Sequence, residues 1–335
     1  MSKEKSTMLK GVAILMMLFL HLFMRTNLAD LCQPLLFVGN VPLVHIITRA
    51  CSPVDFFLII SGYGLSYVYF HGTLTLATQS RRLLKLFISY WIILLVFVSI
   101  GHFIKPGLYP GSIEKIILNV TSWNSSYNAV TWFLFPYMLL SLTSIWIFKI
   151  MDRIGIVSSF ILSMFLYLCS CYIISRYIVP AKAYDTVLAH GLTYLDLLFS
   201  FVIGALMHRI VEKRGLNMKM FRENELKNIL VLVFLFAIMC FVTTQAFNPI
   251  YSLLFTLFFV NLKIEGLVKK FLITMGKHSM PMWMIHTFFS NYLFQNAIFS
   301  LRYPLLIFFG LVIISYVVSF PIMRASNFLC KKIGI

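Results

Sequence analysis

The hydrophobic positions of this chain fall into long uninterrupted blocks, and short segments between the blocks hold most of the charged residues. A block of about 20 apolar residues matches a helix that crosses the roughly 30 Å hydrocarbon core of a membrane. Because backbone polar groups must be satisfied within the bilayer, such blocks predict helices. The predicted fold is an all-α, polytopic helical bundle of about ten transmembrane helices, over residues 8–24, 51–70, 83–104, 130–148, 155–178, 187–208, 228–246, 248–262, 279–299 and 303–323.

The composition supports a membrane protein. Of 335 residues, 60% are hydrophobic and 12% are charged, whereas soluble domains carry about 25% charged residues. We expect a single transmembrane domain over residues 1–335 with no appended soluble domain, in the plasma (inner) membrane and surrounded by the lipid bilayer.

The net charge of +17 has a topological explanation. If the N-terminus is cytoplasmic, 21 of the 28 lysines and arginines fall on the inner side of the predicted bundle. This asymmetry is typical of membrane proteins, which retain basic residues in cytoplasmic loops. It predicts that both termini are cytoplasmic, and no nucleic acid is needed to explain the charge. The outer segments hold the other seven, Arg25, Arg49, Lys105, Lys115, Arg176, Lys182 and Arg302.

Ionisable residues inside apolar blocks are candidates for a functional site, since burying them in a membrane is costly. His21 lies 11 residues beyond Lys10, which is about 16 Å along a helix. Asp55 lies near the outer end of the second block, which runs in the opposite direction. The two are expected to meet at similar depth, where the carboxylate would fix the imidazole tautomer. The alternatives are an interhelical hydrogen bond for His21 and a hydrated interfacial position for Asp55.

A basic cluster precedes the third block. Arg81, Arg82 and Lys85 suit either lipid headgroups or a phosphate clamp, because guanidinium groups bind phosphate oxygens bidentately. Two further ionisable residues, Asp196 and His286, also lie inside blocks.

Pro281 is expected in the first turn of the ninth predicted helix, where proline is favoured. That start would place His286 about 10 Å inward from the inner edge of the membrane.

The second block contains "SGYG", residues 61–64. Its small residues favour close approach of two helices. The nucleophile-elbow pattern is absent, since it requires glycine two residues before the serine and that position is Ile59. The six cysteines lack a CxxC motif, so no metal site is expected.

Taken in order, these motifs resemble the membrane-bound acyltransferase family of the acyltransferase 3 type, which includes bacterial O-antigen and exopolysaccharide O-acetyltransferases. The similarity extends across nearly the whole chain and is closest in the first three blocks. The segments that carry it are "LKGVAILMMLFLH" (Leu9 to His21), "VDFFLIISGYGL" (Val54 to Leu65), "RRLLKLFISYW" (Arg81 to Trp91), "TWFLFPYMLLSL" (from Thr131) and "GKHSMPMWMIH" (to His286).

The resemblance implies an acyl-CoA-dependent O-acyltransferase. Its donor would be cytoplasmic acetyl-CoA, a co-substrate, and its acceptor a hydroxyl of an extracytoplasmic or cell-surface glycan or glycolipid. His21 would be the general base, with Asp55 beside it. The donor site would include the basic cluster. From their position, the small residues Ser61, Gly62 and Gly64 are expected to clear a channel for the pantetheine arm, to which Ser61 or Tyr63 would hydrogen-bond. Further candidates at or near motif positions are Lys10, Trp132, Asp196 and His286.

A proton-coupled transporter or flippase is the alternative function, because intramembrane histidines and aspartates are also typical of carriers. The sequence shows no clear internal repeat relating its two halves, which disfavours a carrier. A purely structural role is a third interpretation. Whether the chain forms a homo-oligomer is left open.

Overall fold

The structure, a computed structural model, describes residues 1–214 and 224–335 and is almost entirely helical there. The segment between the sixth and seventh predicted helices, residues 209–227, therefore lies partly outside the described residues. In chain order, the α-helices of the described part are α1 (Lys3–Phe23), α2 (Leu28–Leu31), α3 (Leu43–Thr48), α4 (Pro53–Phe70), α5 (Leu76–Ile104), α6 (Ile113–Val120), α7 (Leu134–Ile173), α8 (Val179–Ala181), α9 (Val187–Arg214), α10 (Glu225–Phe241), α11 (Asn248–Phe259), α12 (Gly266–Thr287), α13 (Gln295–Phe299) and α14 (Pro304–Lys332).

Short irregular elements complete the described chain. Strands β1 (Phe37–Val38) and β2 (Val41–Pro42) pair antiparallel. There are 3₁₀ turns at Ala129–Thr131 and Gln245–Phe247, and π-helical turns at Ile174–Ile178 and Phe288–Tyr292.

Local sequence explains where several helices begin. Ser2 caps α1 by accepting a hydrogen bond from the amide of Lys5, and Asn224 caps α10 in the same way. Thr75 and Thr78 form a reciprocal capping box at the start of α5. Such caps satisfy amides that have no partner within the helix.

The all-α prediction is confirmed, and within the described residues six helical segments are long and apolar enough to cross a membrane. Helices α10 and α11 have 17 and 12 residues, and α12 carries Lys269, Lys270 and Lys277, so the ten-helix count stays a prediction. The six segments are Lys3–Phe23, Leu43–Phe70, Leu76–Ile104, Ala129–Ala181, Val187–Glu212 and Pro304–Lys332.

The longest helix, α7, is broken at Gly155. This residue has φ 82° and ψ 178°, a conformation that glycine adopts without steric cost. Trp132, just before the helix, and Cys171, beyond the break, line the same cavity, so the chain reverses direction at Gly155. The fourth and fifth predicted helices therefore meet at this glycine.

Candidate active site

The imidazole rings of His21 and His286 lie side by side near one end of the bundle, with their centroids 5.2 Å apart and their planes tilted by 41°. The predicted start of the helix that carries His286 was wrong. Helix α12 begins at Gly266, so Pro281 is inside the helix and His286 lies 20 residues, or about 30 Å, from the helix start. This places His286 beside the far end of α1.

Two glycines bring α1 and α12 into backbone contact. A Cβ atom on Gly11 would lie 2.2 Å from the carbonyl oxygen of Leu272, and one on Gly276 would lie 1.9 Å from that of Thr7. These reciprocal contacts define a parallel pair in which Gly11 is level with Gly276. Each histidine follows its glycine by ten residues, so the two imidazoles reach the same level.

Hydrogen bonds determine the tautomer of His286. Its Nδ1 lies 2.7 Å from the carbonyl oxygen of Trp283 and 3.2 Å from that of Met282. A carbonyl oxygen only accepts hydrogen bonds, so Nδ1 carries the proton and Nε2 holds a lone pair. The side chain is fully buried, and Nε2 has no hydrogen-bond partner among the described residues. Nε2 of His286 is therefore oriented to accept a hydrogen bond beside His21.

His21 and Asp55 line a cavity of about 300 Å³ together with Trp132 and Asp196. The carboxylate of Asp55 accepts hydrogen bonds of 2.5 Å from the hydroxyls of Ser52 and Ser200. No ion pair of 4.0 Å or less joins Asp55 to His21 in the described chain. The predicted orientation of His21 by Asp55 is thus corrected: serines hold the carboxylate, and the closest imidazole partner of His21 is His286.

Asp196 and Trp132 also line this cavity. The Asp196 carboxylate accepts a hydrogen bond from the Cys171 thiol at 3.3 Å, and Trp132 is 44% exposed. Both residues also line a larger neighbouring cavity, so the two cavities share a wall.

Sequence reasoning missed Asn128, which forms hydrogen bonds with α12 on either side of His286. Its Nδ2 donates to the carbonyl oxygen of Met284 at 2.6 Å, and its Oδ1 accepts from the hydroxyl of Thr287 at 2.7 Å. Trp283 makes a further bond, from Nε1 to the carbonyl oxygen of Val130 at 3.0 Å. An asparagine in a polar loop carries no sequence signal for this role. Only the repeated spacing of glycine and histidine, in 11–21 and 276–286, could have indicated the pair.

A second candidate site lies at the opposite end of the bundle. Arg82, Lys85, Lys277 and Lys331 line a cavity of about 440 Å³ whose lining contains no aspartate or glutamate. Arg81 is exposed and is not part of this lining. The structure therefore joins two of the three predicted cluster residues to two lysines from α12 and α14.

The "SGYG" residues point in different directions. The Gly62 Cα faces the backbone of α9, where an added Cβ would lie 1.9 Å from the carbonyl oxygen of Phe201, and Gly204 faces Ile59 in the reciprocal way. Gly62 is thus a helix-packing residue, which corrects its expected place in a donor channel.

The side chains of Ser61 and Tyr63 contact groups outside the predicted donor site. The Ser61 hydroxyl lies 3.3 Å from that of Tyr137, and the Tyr63 hydroxyl accepts a hydrogen bond from the N-terminal amine. Tyr63 lines an apolar cavity beside α7 and α9, and none of the three residues lines the cavity of Arg82. Lys10 is half-buried on α1, directly before Gly11.

Comparison with protein families identifies an acyltransferase domain over residues 6–324. Because the match covers nearly the whole chain, the protein belongs to the acyltransferase 3 family, as the motifs predicted. Neither the curated proteins nor the solved structures give a significant match.

Proposed function

We propose that this protein is a membrane O-acyltransferase that moves an acyl group from cytoplasmic acyl-CoA to a hydroxyl of an extracytoplasmic glycan. Acetyl is the expected acyl group, as in the family that the sequence resembles. The observation that carries the proposal is the arrangement along α12, with a cation-lined cavity beside Lys277 near its middle and the His21–His286 pair near its C-terminal end.

The proposed topology places the cation-lined cavity in the cytoplasm, together with both termini. Lys3 and Lys332 bound the first and last helices at that end, and most lysines and arginines belong to it in the predicted arrangement, as expected for cytoplasmic segments. His21 then lies toward the outer surface. Ten membrane crossings in the plasma membrane are part of this proposal.

The donor would bind by its phosphates. Arg82, Lys85, Lys277 and Lys331 offer four positive charges, and no aspartate or glutamate side chain lies among them, a composition suited to the phosphate groups of coenzyme A. Lys277 precedes His286 by nine residues on the same helix, a rise of about 13 Å. The pantetheine arm could span this distance and bring the thioester carbonyl to the histidine pair.

Acyl transfer would then take place directly between the two substrates. An N–H of His21 would donate to Nε2 of His286, leaving the other His21 nitrogen as the base. The acceptor hydroxyl would lose its proton to that nitrogen while its oxygen attacks the thioester carbon. The C–O bond forms, the C–S bond breaks, and the proton passes from His21 to the leaving sulfur, which gives free CoA thiol and an acyl ester.

Labelled acetyl-CoA provides the test. Purified protein in lipid nanodiscs should transfer label to glycolipids extracted from its own cells, and His21→Ala should abolish transfer while the variant keeps its size-exclusion profile. Transfer that survives in His21→Ala would refute His21 as the base.

A proton-coupled carrier or flippase is the competing function, since the bundle holds the buried His286 and the half-buried Asp55 and Asp196. Mass spectrometry of surface glycans from cells with and without the gene separates the two. A carrier would change the amount of glycan at the surface, whereas the acyltransferase would change its acylation.

A further inference from the structure

A large cavity opens at the His21 end of the bundle. It measures about 1000 Å³ and lies between the loop around residues 122–126, the end of α7, the start of α9 and the turn at 244–246. It shares Trp132, Cys171 and Asp196 with the cavity of His21. The larger cavity therefore adjoins the cavity of His21.

The walls of this outer cavity combine aromatic rings with small polar groups. Four of its lining residues are Trp123, Trp132, Tyr172 and Tyr184, and the last three are each more than 40% exposed. Serine, threonine, asparagine and glutamine side chains lie among them. Rings that stack on a flat apolar face, with hydroxyl and amide groups around them, fit a saccharide.

The charged residues that line the outer cavity are acidic, although the chain as a whole is basic. Although the protein has 28 lysines and arginines against 11 aspartates and glutamates, this lining contains Asp185 and Asp196 and no lysine or arginine. Carboxylates accept hydrogen bonds from sugar hydroxyls and attract ammonium groups. They repel carboxylates and phosphates that have no cation to pair with, which gives selectivity by charge.

Two polar groups of the outer cavity, Asp185 and His190, are available to a ligand. The carboxylate of Asp185 accepts a hydrogen bond from Nδ2 of Asn124 at 2.7 Å, and its carbonyl oxygen accepts one from Nε1 of Trp123 at 3.1 Å. His190, also in the lining, is only 8% exposed, and its Nε2 has no hydrogen-bond partner among the described residues. A buried polar atom without a partner is costly unless a ligand or water supplies one.

We infer that the outer cavity is the acceptor subsite and that it takes a neutral glycan or an amino sugar, not an acidic one. The inference rests on the proposed function, since it names the acceptor of that reaction. The sugar rings stack on the exposed aromatics, and Asp185, Asp196 and His190 bind its hydroxyl or ammonium groups.

Binding can be measured without acetyl-CoA, on a printed array of neutral, amino and acidic glycans probed with the full chain in nanodiscs. The wild type is expected to bind only neutral or amino glycans. Tyr172→Ala should weaken that binding about tenfold, the loss of one stacking contact. Tyr177→Ala is the matched control, because Tyr177 is equally exposed, at 59%, but does not line the cavity.

Charge is tested by Asp185→Lys, which should weaken binding of amino sugars and admit acidic glycans. Asp30→Lys is its control, an exposed acid at the same end outside the cavity. Binding of acidic glycans by the wild type, binding of no glycan, or equal effects of Tyr172→Ala and Tyr177→Ala would each overturn the inference.

Transfer assays on the glycans that bind distinguish the two proposals. Selective binding without acetyl transfer would overturn the proposed function and leave the subsite standing. Efficient transfer to an acidic glycan would overturn the subsite and leave the acyltransferase standing.

Discussion

The rings of His21 and His286 lie 5.2 Å apart although 265 residues separate them in the chain. The same separation relates Gly11 to Gly276, whose bare Cα atoms let α1 and α12 approach at backbone distance. Close approach through small residues is a common way for membrane helices to associate. Here it brings a cavity-lining histidine against a buried one whose tautomer is fixed by carbonyl oxygens.

Replacing His286 tests this pairing. His286→Phe removes the acceptor and is expected to lower kcat by roughly 10²-fold or more, the size of a general-base contribution, with little change in KM for acetyl-CoA. His286→Gln supplies an amide oxygen and should recover part of kcat. A purely structural role would give neither the selective loss in kcat nor the rescue.

His278→Phe is the control on the same helix. Its Nδ1 bonds to the hydroxyl of Ser319 at 2.6 Å, and it lines neither the His21 cavity nor the cation-lined one. This variant should keep most of its activity. If it lost as much kcat as His286→Phe, the special role of His286 would be wrong.

Gly62 and Gly64 are a matched pair for the helix contact between α4 and α9. A Cβ on Gly62 would clash with the backbone of α9, whereas one on Gly64 meets no atom within 4 Å. Gly62→Ala should therefore destabilise the protein by about 1–3 kcal/mol or more, as overpacking does. Gly64→Ala should be neutral or slightly stabilising, since alanine favours the helix.

Thermal unfolding in detergent measures this difference, and acetyl-CoA affinity of the folded fraction checks the assignment. Loss of affinity in Gly62→Ala at unchanged melting temperature would restore a donor-binding role for this glycine.

The cation-lined cavity predicts which basic residues affect the donor. Arg82→Ala and Lys277→Ala are each expected to raise KM for acetyl-CoA about tenfold or more, since a hydrogen bond to a charged group contributes about 1.5–3 kcal/mol. Neither should affect a truncated donor such as acetyl-pantetheine, which lacks the nucleotide phosphates. Steady-state kinetics with both donors measure the contrast.

Two controls accompany these variants. Lys270→Ala removes an exposed charge from the same helix, and Arg81→Ala removes the cluster residue that does not line the cavity. Both should change KM less than Arg82→Ala. Equal effects of all four would indicate a diffuse electrostatic field in place of a defined phosphate site.

Asn128 is expected to stabilise the histidine end of α12. Asn128→Asp cannot donate to the carbonyl oxygen of Met284, so the buried bond is lost and two oxygens face each other. The cost should be about 1–3 kcal/mol, because a buried group is left unsatisfied. Asn40→Asp, in the exposed turn between β1 and β2, is the control, and equal melting temperatures for the two would contradict the role of Asn128.

The sequence was most informative where one residue type has one physical meaning. Apolar blocks indicate helices because a membrane leaves few other ways to satisfy the backbone. The predicted blocks lie almost wholly within α1, α4, α5 and α14, although α1, α5 and α14 extend several residues beyond them. The motif order likewise predicted the family. The boundaries of α12 were missed because its first turns carry Lys269 and Lys270, which look like a loop when charge is the criterion.

By itself, then, the sequence determined an all-α membrane protein of the acyltransferase 3 family and drew attention to His21, Asp55, Arg82 and His286. The tertiary structure alone decided their partners. The register of the helices depends on backbone contacts at Gly11 and Gly62, and these contacts are made with residues that are distant in the sequence. It placed His21 beside His286, and it showed that Asp55 accepts hydrogen bonds from Ser52 and Ser200. It also added Lys277 and Lys331 to the basic cluster. Spacing along a helix gives depth and face, but which face meets which is set by the close contacts between helices.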